Sequence, residues 1–172
     1  MTDPSKQKPK TGSRYLARVF LALVLSLSLV PSPVRAADNP QVIEAMATLK
    51  GETAKLGAPK LEGDNFIFGT TKMNDNFQIV DEVKTKHSAT ATVFAKKGTN
   101  YVRITTNVMK DGKRAVGSVL DSSGPAYASI NQGKAFYGLV DILGKMYDTG
   151  YEPIKTEAGE VIGIWYVGFL ME

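Results

Sequence analysis

Tyr151-Glu152-Pro153-Ile154-Lys155, then Ala158-Gly159-Glu160, then Val161-Ile162-Gly163-Ile164-Trp165-Tyr166-Val167-Gly168-Phe169-Leu170 is the stretch that decides the fold. β-Branched and aromatic residues on both sides of a glycine turn read as two antiparallel strands. Working back, Met146 to Ile154 and Phe136 to Leu143 continue the same pattern. Ala89 to Ala95 alternates small, Thr, Val and Phe residues. It is followed by the turn Lys96 to Asn100 and a strand from Tyr101 to Val108. Lys110-Asp111-Gly112-Lys113 predicts a hairpin turn, with Arg114 to Val119 as its return. Phe66 to Phe68 and Phe77 to Val80 are short strand candidates around the polar turn Lys72 to Asp75, and Val80 to Lys86 reads as one or two helical turns. Gly124-Pro125 fixes the start of a helix within Ser122 to Gln132. Asp38-Asn39-Pro40 reads as the start of a longer one, a capping residue followed by proline in the first turn. There Val42, Met46, Leu49 and Leu56 recur at helical spacing, so residues 40–56 predict an amphipathic helix. Strands in antiparallel order, with helices ahead of and between them, make the class α+β.

The front of the chain reads as an address. Lys6, Lys8, Lys10, Arg14 and Arg18 precede the apolar run Val19 to Val30. Pro31 and Pro33 break that run, and Val34-Arg35-Ala36 offers a cleavage site. The run is short for a spanning helix, so a cleavable secretory signal over 1–36 is expected ahead of an uncut membrane anchor, and export to the periplasm or beyond follows. One domain, 37–172, remains. The whole chain carries 21 basic and 17 acidic residues, but the leader holds six of the basic ones, so the remainder is close to neutral. The high pI therefore gives no footing for nucleic-acid binding. With no cysteine, the exported domain must rest on its hydrophobic core alone.

An ordered series of segments carries a family resemblance. It runs Asn76-Phe77-Gln78-Ile79-Val80-Asp81-Glu82-Val83-Lys84, Ala91-Thr92-Val93-Phe94, Val102-Arg103-Ile104-Thr105-Thr106-Asn107-Val108 and Asp111-Gly112-Lys113-Arg114-Ala115-Val116-Gly117. Tyr137-Gly138, Gly144-Lys145-Met146-Tyr147 and Tyr151-Glu152-Pro153-Ile154 complete it. The series resembles the single Cache domains that join the Cache 3 and Cache 2 profiles, PAS-like extracytoplasmic sensors. The resemblance implies a long N-terminal helix on a curved antiparallel sheet of about five strands, with a pocket on the sheet's other face for a small molecule, often an organic acid. It also sets the expectation of a sensor domain standing without its transmitter, read by a membrane receptor or histidine kinase. The chain departs from the family where His87 and Ser88 stand in place of two frequent glycines.

Strand alternation places Val102, Ile104, Thr106 and Val108 on one face and Tyr101, Arg103, Thr105 and Asn107 on the other. Alternation alone leaves open whether the second set lines a pocket or meets water. The resemblance puts Arg103 on the pocket side, and a guanidinium suits a carboxylate because it can donate two parallel hydrogen bonds. Thr105 shares its face. Tyr137, Tyr147 and Tyr151 offer a ring and a hydroxyl to a ligand, with core packing as the competing role. Tyr127 and Ser129 sit on the helix expected over the sheet, within reach of a ligand, and Tyr127 joins the candidate binding residues. Trp165 reads as core, and Asp81 and Glu82 as solvent-facing.

No metal and no cofactor is expected. His87 is the lone histidine, no cysteine accompanies it, and Asp111-Gly112 is a turn lacking the other carboxylates of a calcium loop. No nucleophile–base pair or paired-carboxylate signature marks an enzyme. The leading expectation is a ligand-binding sensor domain. The alternative is a non-catalytic interaction module with no ligand of its own, forming a homodimer through helix 40–56 or partnering a membrane receptor.

Overall fold

The computed structural model describes residues 39–171, so the expected leader over 1–36 lies outside the described residues. The chain runs α1 (Pro40–Leu56), β1 (Pro59–Glu62), β2 (Asn65–Phe68), β3 (Thr71–Lys72), α2 (Gln78–His87), β4 (Thr90–Lys97), β5 (Asn100–Thr106), β6 (Met109–Lys110), β7 (Lys113–Arg114), α3 (Pro125–Asn131), β8 (Phe136–Ile142), β9 (Lys145–Lys155) and β10 (Val161–Leu170). Five of these strands form one antiparallel sheet in the order β5-β4-β10-β9-β8. The α+β class and the helix-plus-sheet plan stand as expected. β1 to β3 form a small separate sheet, and β6 with β7 a smaller one.

α1 begins where its cap dictates. The Asn39 side chain accepts from the Gln41 N–H at 3.0 Å, and Pro40 occupies the first turn, where no hydrogen-bond donor is lost. The helix buries Val42, Ala45, Met46, Leu49 and Thr53 against the sheet. Their partners on that face include Ala91, Val93 and Ala95 of β4 and Val167 of β10. Gly150 of β9 permits the close approach, since a Cβ there would stand 2.7 Å from the Tyr137 ring and 3.0 Å from Val42. The opposite face carries Phe94, Tyr101, Tyr151, Ile164 and Tyr166 under Ala126 and Ile130 of α3.

Two segments differ from their sequence-based reading. Phe77 to Val80 is not a strand. Phe77 precedes α2, and Ile79, Val80 and Val83 fall on one buried helical face. The return from Arg114 to Val119 pairs as a strand only at Lys113–Arg114. Gly117 then turns the chain at φ +81°, and Val119 rejoins the sheet as a single bridge to Val102.

Between Val93 and Phe94 the β4–β5 register shifts. Arg103 pairs with Phe94, Thr105 pairs with Val93, and Ile104 is the extra residue. Such a bulge breaks the two-residue alternation of the strand. Arg103 therefore lies on the α3 face with Phe94, while Thr105 turns to the α1 and α2 face with Val93.

Candidate functional site

Arg103 sits on β5, next to the loop from Ala115 to Leu120. That loop completes the sheet's edge: the Arg103 N–H donates to the Ser118 carbonyl (2.9 Å), the Gly117 N–H to the Arg103 carbonyl (2.8 Å) and the Leu120 N–H to the Tyr101 carbonyl (2.9 Å). The same loop brings the Ser118 hydroxyl to the guanidinium, which donates to it from Nη1 at 2.8 Å. The guanidinium carbon lies 4.8 Å from the Phe94 ring centroid, a cation–π distance.

The residue is only 4 % exposed. Its Nε is buried with no hydrogen-bond partner, and among the described residues no carboxylate pairs with it. Burial pushes its pKa below the ordinary arginine value, while Tyr151 and Tyr166 act the other way. An arginine nonetheless remains charged in a protein. A buried charge without a counter-ion is costly, and native structures rarely retain one. The rings of Tyr151 and Tyr166 lie nearby, 4.9 Å apart between centroids and tilted at 48°. Burial pushes both phenols well above their usual range. Tyr166 has a hydroxyl partner, Thr90 Oγ1 at 2.9 Å.

A cavity of about 100 Å3 opens onto Arg103 and Tyr151, walled by Val119, Leu120, Val140, Ile142 and Leu143, with Asp121 and Asp141 also lining it. A second cavity of about 230 Å3 shares Ile142 and Leu143 as a wall and is lined by Lys84, Thr90, Asn107, Lys145 and Tyr147 among others. A larger concavity lies elsewhere, an open apolar groove of about 610 Å3 along α1, between Ala54, Pro59, Phe68 and Trp165. Its one charge, Lys50, already meets Glu152 at 2.6 Å. Chemistry therefore favours the small cavity over the large groove.

The residues predicted from sequence divide accordingly. Arg103 and Tyr151 share the small cavity. Tyr147 lines the neighbouring one. Tyr127 lies on the same face, but its hydroxyl donates to the Thr99 carbonyl at 2.6 Å and its ring meets Tyr101 edge-on, so it braces α3 over the sheet. Thr105 is turned away by the bulge and donates to the Asn76 carbonyl at 2.7 Å. Tyr137 is also on the other face: it packs with the α1 core and donates to Glu152 Oε1 at 2.5 Å.

Asp81 is not a free surface acid, since it holds Arg114 through both carboxylate oxygens at 2.8 Å each. His87 Nε2 lies 2.8 Å from the Thr48 hydroxyl at the end of α2. Trp165 is half-buried on the α1 face, donating to Thr53 Oγ1 at 3.1 Å. Phe94, Ser118, Asp121, Asp141 and Tyr166 were not foreseen as site residues. The alternation of β4 could have offered Phe94. No local pattern marks Ser118, which arrives through an irregular loop.

No curated protein matches the chain. Among solved structures, the crystal structure of the E. coli DcuS sensor domain is similar at 13% identity, covering 77% of this chain and 78% of that one with a TM-score of 0.40. No described helix is long and apolar enough to cross a membrane. The family model of the Cache 3/Cache 2 fusion domain matches residues 15–172, nearly the whole chain, and the protein belongs to that family of extracytoplasmic sensor domains.

Proposed function

We propose that this domain senses a small carboxylate outside the cytoplasm, holding it in the cavity beside Arg103, and that occupancy is relayed to a membrane receptor or kinase. The observation that carries this reading is the buried guanidinium with an unpartnered Nε and no acid of its own. A carboxylate entering the cavity supplies the missing charge and accepts the unused donors in the bidentate geometry that arginine favours. Tyr151 forms part of the same lining, and the apolar walls suit a short carbon chain. The cavity of about 100 Å3 suits a molecule near acetate or propionate in bulk.

Thermal or denaturant unfolding in a panel of short carboxylates tests the reading. A true ligand at 100 times its dissociation constant adds about 2.7 kcal/mol of stability. The expected result is a shift with at least one carboxylate that disappears in Arg103→Ala. A shift that survives Arg103→Ala, or no shift with any carboxylate, overturns it.

A further inference from the structure

The cavity beside Arg103 is not lined by positive charge alone. Asp121 and Asp141 stand in the same lining, both solvent-exposed, while the arginine lies deep. Neither carboxylate has a cationic partner among the described residues. Asp121 Oδ1 accepts from the Ser123 N–H at 2.9 Å and the Ser123 hydroxyl at 2.7 Å, and Asp141 Oδ1 accepts from the Gly144 N–H at 2.9 Å. These contacts fix each carboxylate through one oxygen and leave the other oxygen unused. The Ser123 hydrogen bonds also hold the Asp121 carboxyl below its usual range, so it is charged at neutral pH. Arg103, 96 % buried by its 4 % exposure and with Nε unpartnered, is the independent sign that a ligand belongs here.

From this arrangement of charge, and resting on the reading of Arg103 as the anchor for an anion, we infer that the ligand is a small amino acid, carrying an ammonium group as well as a carboxylate. A plain carboxylate must pass two like charges to reach the guanidinium. A plain amine meets the acids but is repelled from the interior. A zwitterion satisfies both ends at once: its carboxylate accepts from Arg103 in the dry interior, and its ammonium donates to Asp141 or Asp121 at the mouth. Val119, Leu120, Val140 and Ile142 supply the apolar part of the same lining, which suits a methyl group or a methylene spacer rather than a second charge. A volume of about 100 Å3 suits molecules of the size of glycine, alanine or β-alanine.

Isothermal titration of the full chain with matched pairs tests this: glycine against acetate, and alanine and β-alanine against propionate, with ethylamine as the cationic control. At least one amino acid should bind ten-fold or more tightly than its deaminated partner. The double variant D121N/D141N, altered only at exposed positions, should erase that difference while leaving the carboxylate's affinity equal or improved. Carboxylates that bind as well as their amino acids overturn the inference and leave the anion reading of Arg103 standing, as does an amino-acid preference that persists in D121N/D141N. Failure of every carboxylate and amino acid to bind overturns both.

Discussion

Arg103 and Arg114 stand at opposite ends of one strand-and-loop unit, and their charges are met in opposite ways. Arg114 donates from Nη1 and Nη2 to the two oxygens of Asp81 and from Nη1 to the Thr106 carbonyl, and it lies over the Phe77 ring at 4.3 Å. Its side chain is 31 % exposed, so water shares in its solvation. Arg103 also lies over a phenylalanine, yet it is almost fully buried, has one serine hydroxyl and lacks an acid. The contrast separates two uses of one residue type. A structural arginine comes with its carboxylate in the chain. On the function proposed above, an arginine kept dry without one takes its acid from outside.

The largest expected effect tests this contrast directly. In ligand-free protein, Arg103→Met removes a buried charge whose desolvation is not offset by a partner, so stability should rise by about 1–3 kcal/mol. The lost stacking on Phe94 limits the gain, since a desolvated cation–π contact contributes up to about 2 kcal/mol. Arg114→Met should act in the other sense and lower stability by about 0.5–1.5 kcal/mol, a modest value because the pair is partly in water. Denaturant midpoints of the two variants decide the matter. If Arg103→Met proves the more damaging of the two, the guanidinium is a structural strut and the site reading fails.

A second test asks whether the surroundings of Arg103 are as dry as its lack of exposure indicates. Burial raises the phenol pKa of Tyr151 and Tyr166 above the ordinary value of about 10. The folded state keeps their protons where the unfolded chain loses them. Their contribution is therefore intact below about pH 10, and stability falls as pH climbs past it, by about 1.4 kcal/mol per pH unit for each buried phenol. Chemical denaturation between neutral pH and pH 11 should show this loss, and Tyr166→Phe or Tyr151→Phe should each remove one tyrosine's share. A flat profile in the wild type means that water reaches the rings, and the guanidinium beside them would then be solvated too.

Sequence reasoning reached some of these features for identifiable reasons. α1 was legible to its last residue because an Asn-Pro cap opens it and Gly57 closes it, both local signals. The closing hairpin was legible because β10 is an almost unbroken apolar run, β9 carries Tyr147, Tyr151 and Ile154, and a glycine turn separates them. The separation of Thr105 from Arg103 was not, because a bulge depends on how two strands meet and leaves no mark in either one. Tyr137 and Tyr151 share a residue type and a nearby position. Tyr137 pairs with Gly150, and Tyr151 with Phe136, so neighbouring register positions put the rings on opposite faces. Phe77 to Val80 misled because a short apolar run fits strand and helix equally until its neighbours choose. Ser118 was out of reach because its place follows from the turn at Gly117.

The smallest effect concerns the helix that carries Asp81. α2 ends at Ser88 in the left-handed region at φ +57°, with the Ser88 N–H donating to the Lys84 carbonyl at 2.8 Å. A residue with a Cβ is disfavoured there by about 1–2 kcal/mol, whereas glycine is not, although glycine loses more chain entropy on folding, by about 0.5–1 kcal/mol. The two terms nearly cancel, so Ser88→Gly should stabilise the domain by roughly 0.5 kcal/mol, measurable as a small rise in denaturant midpoint. Its value lies in a second readout. Ser88 lines the cavity that holds Lys84 and Lys145, on the far side of Ile142 and Leu143 from Arg103. A guest confined beside Arg103 never meets Ser88, so ligand affinity should be unchanged in Ser88→Gly. A change beyond the small stability gain would mean that the guest spans both cavities, and that Ile142 and Leu143 yield to admit it.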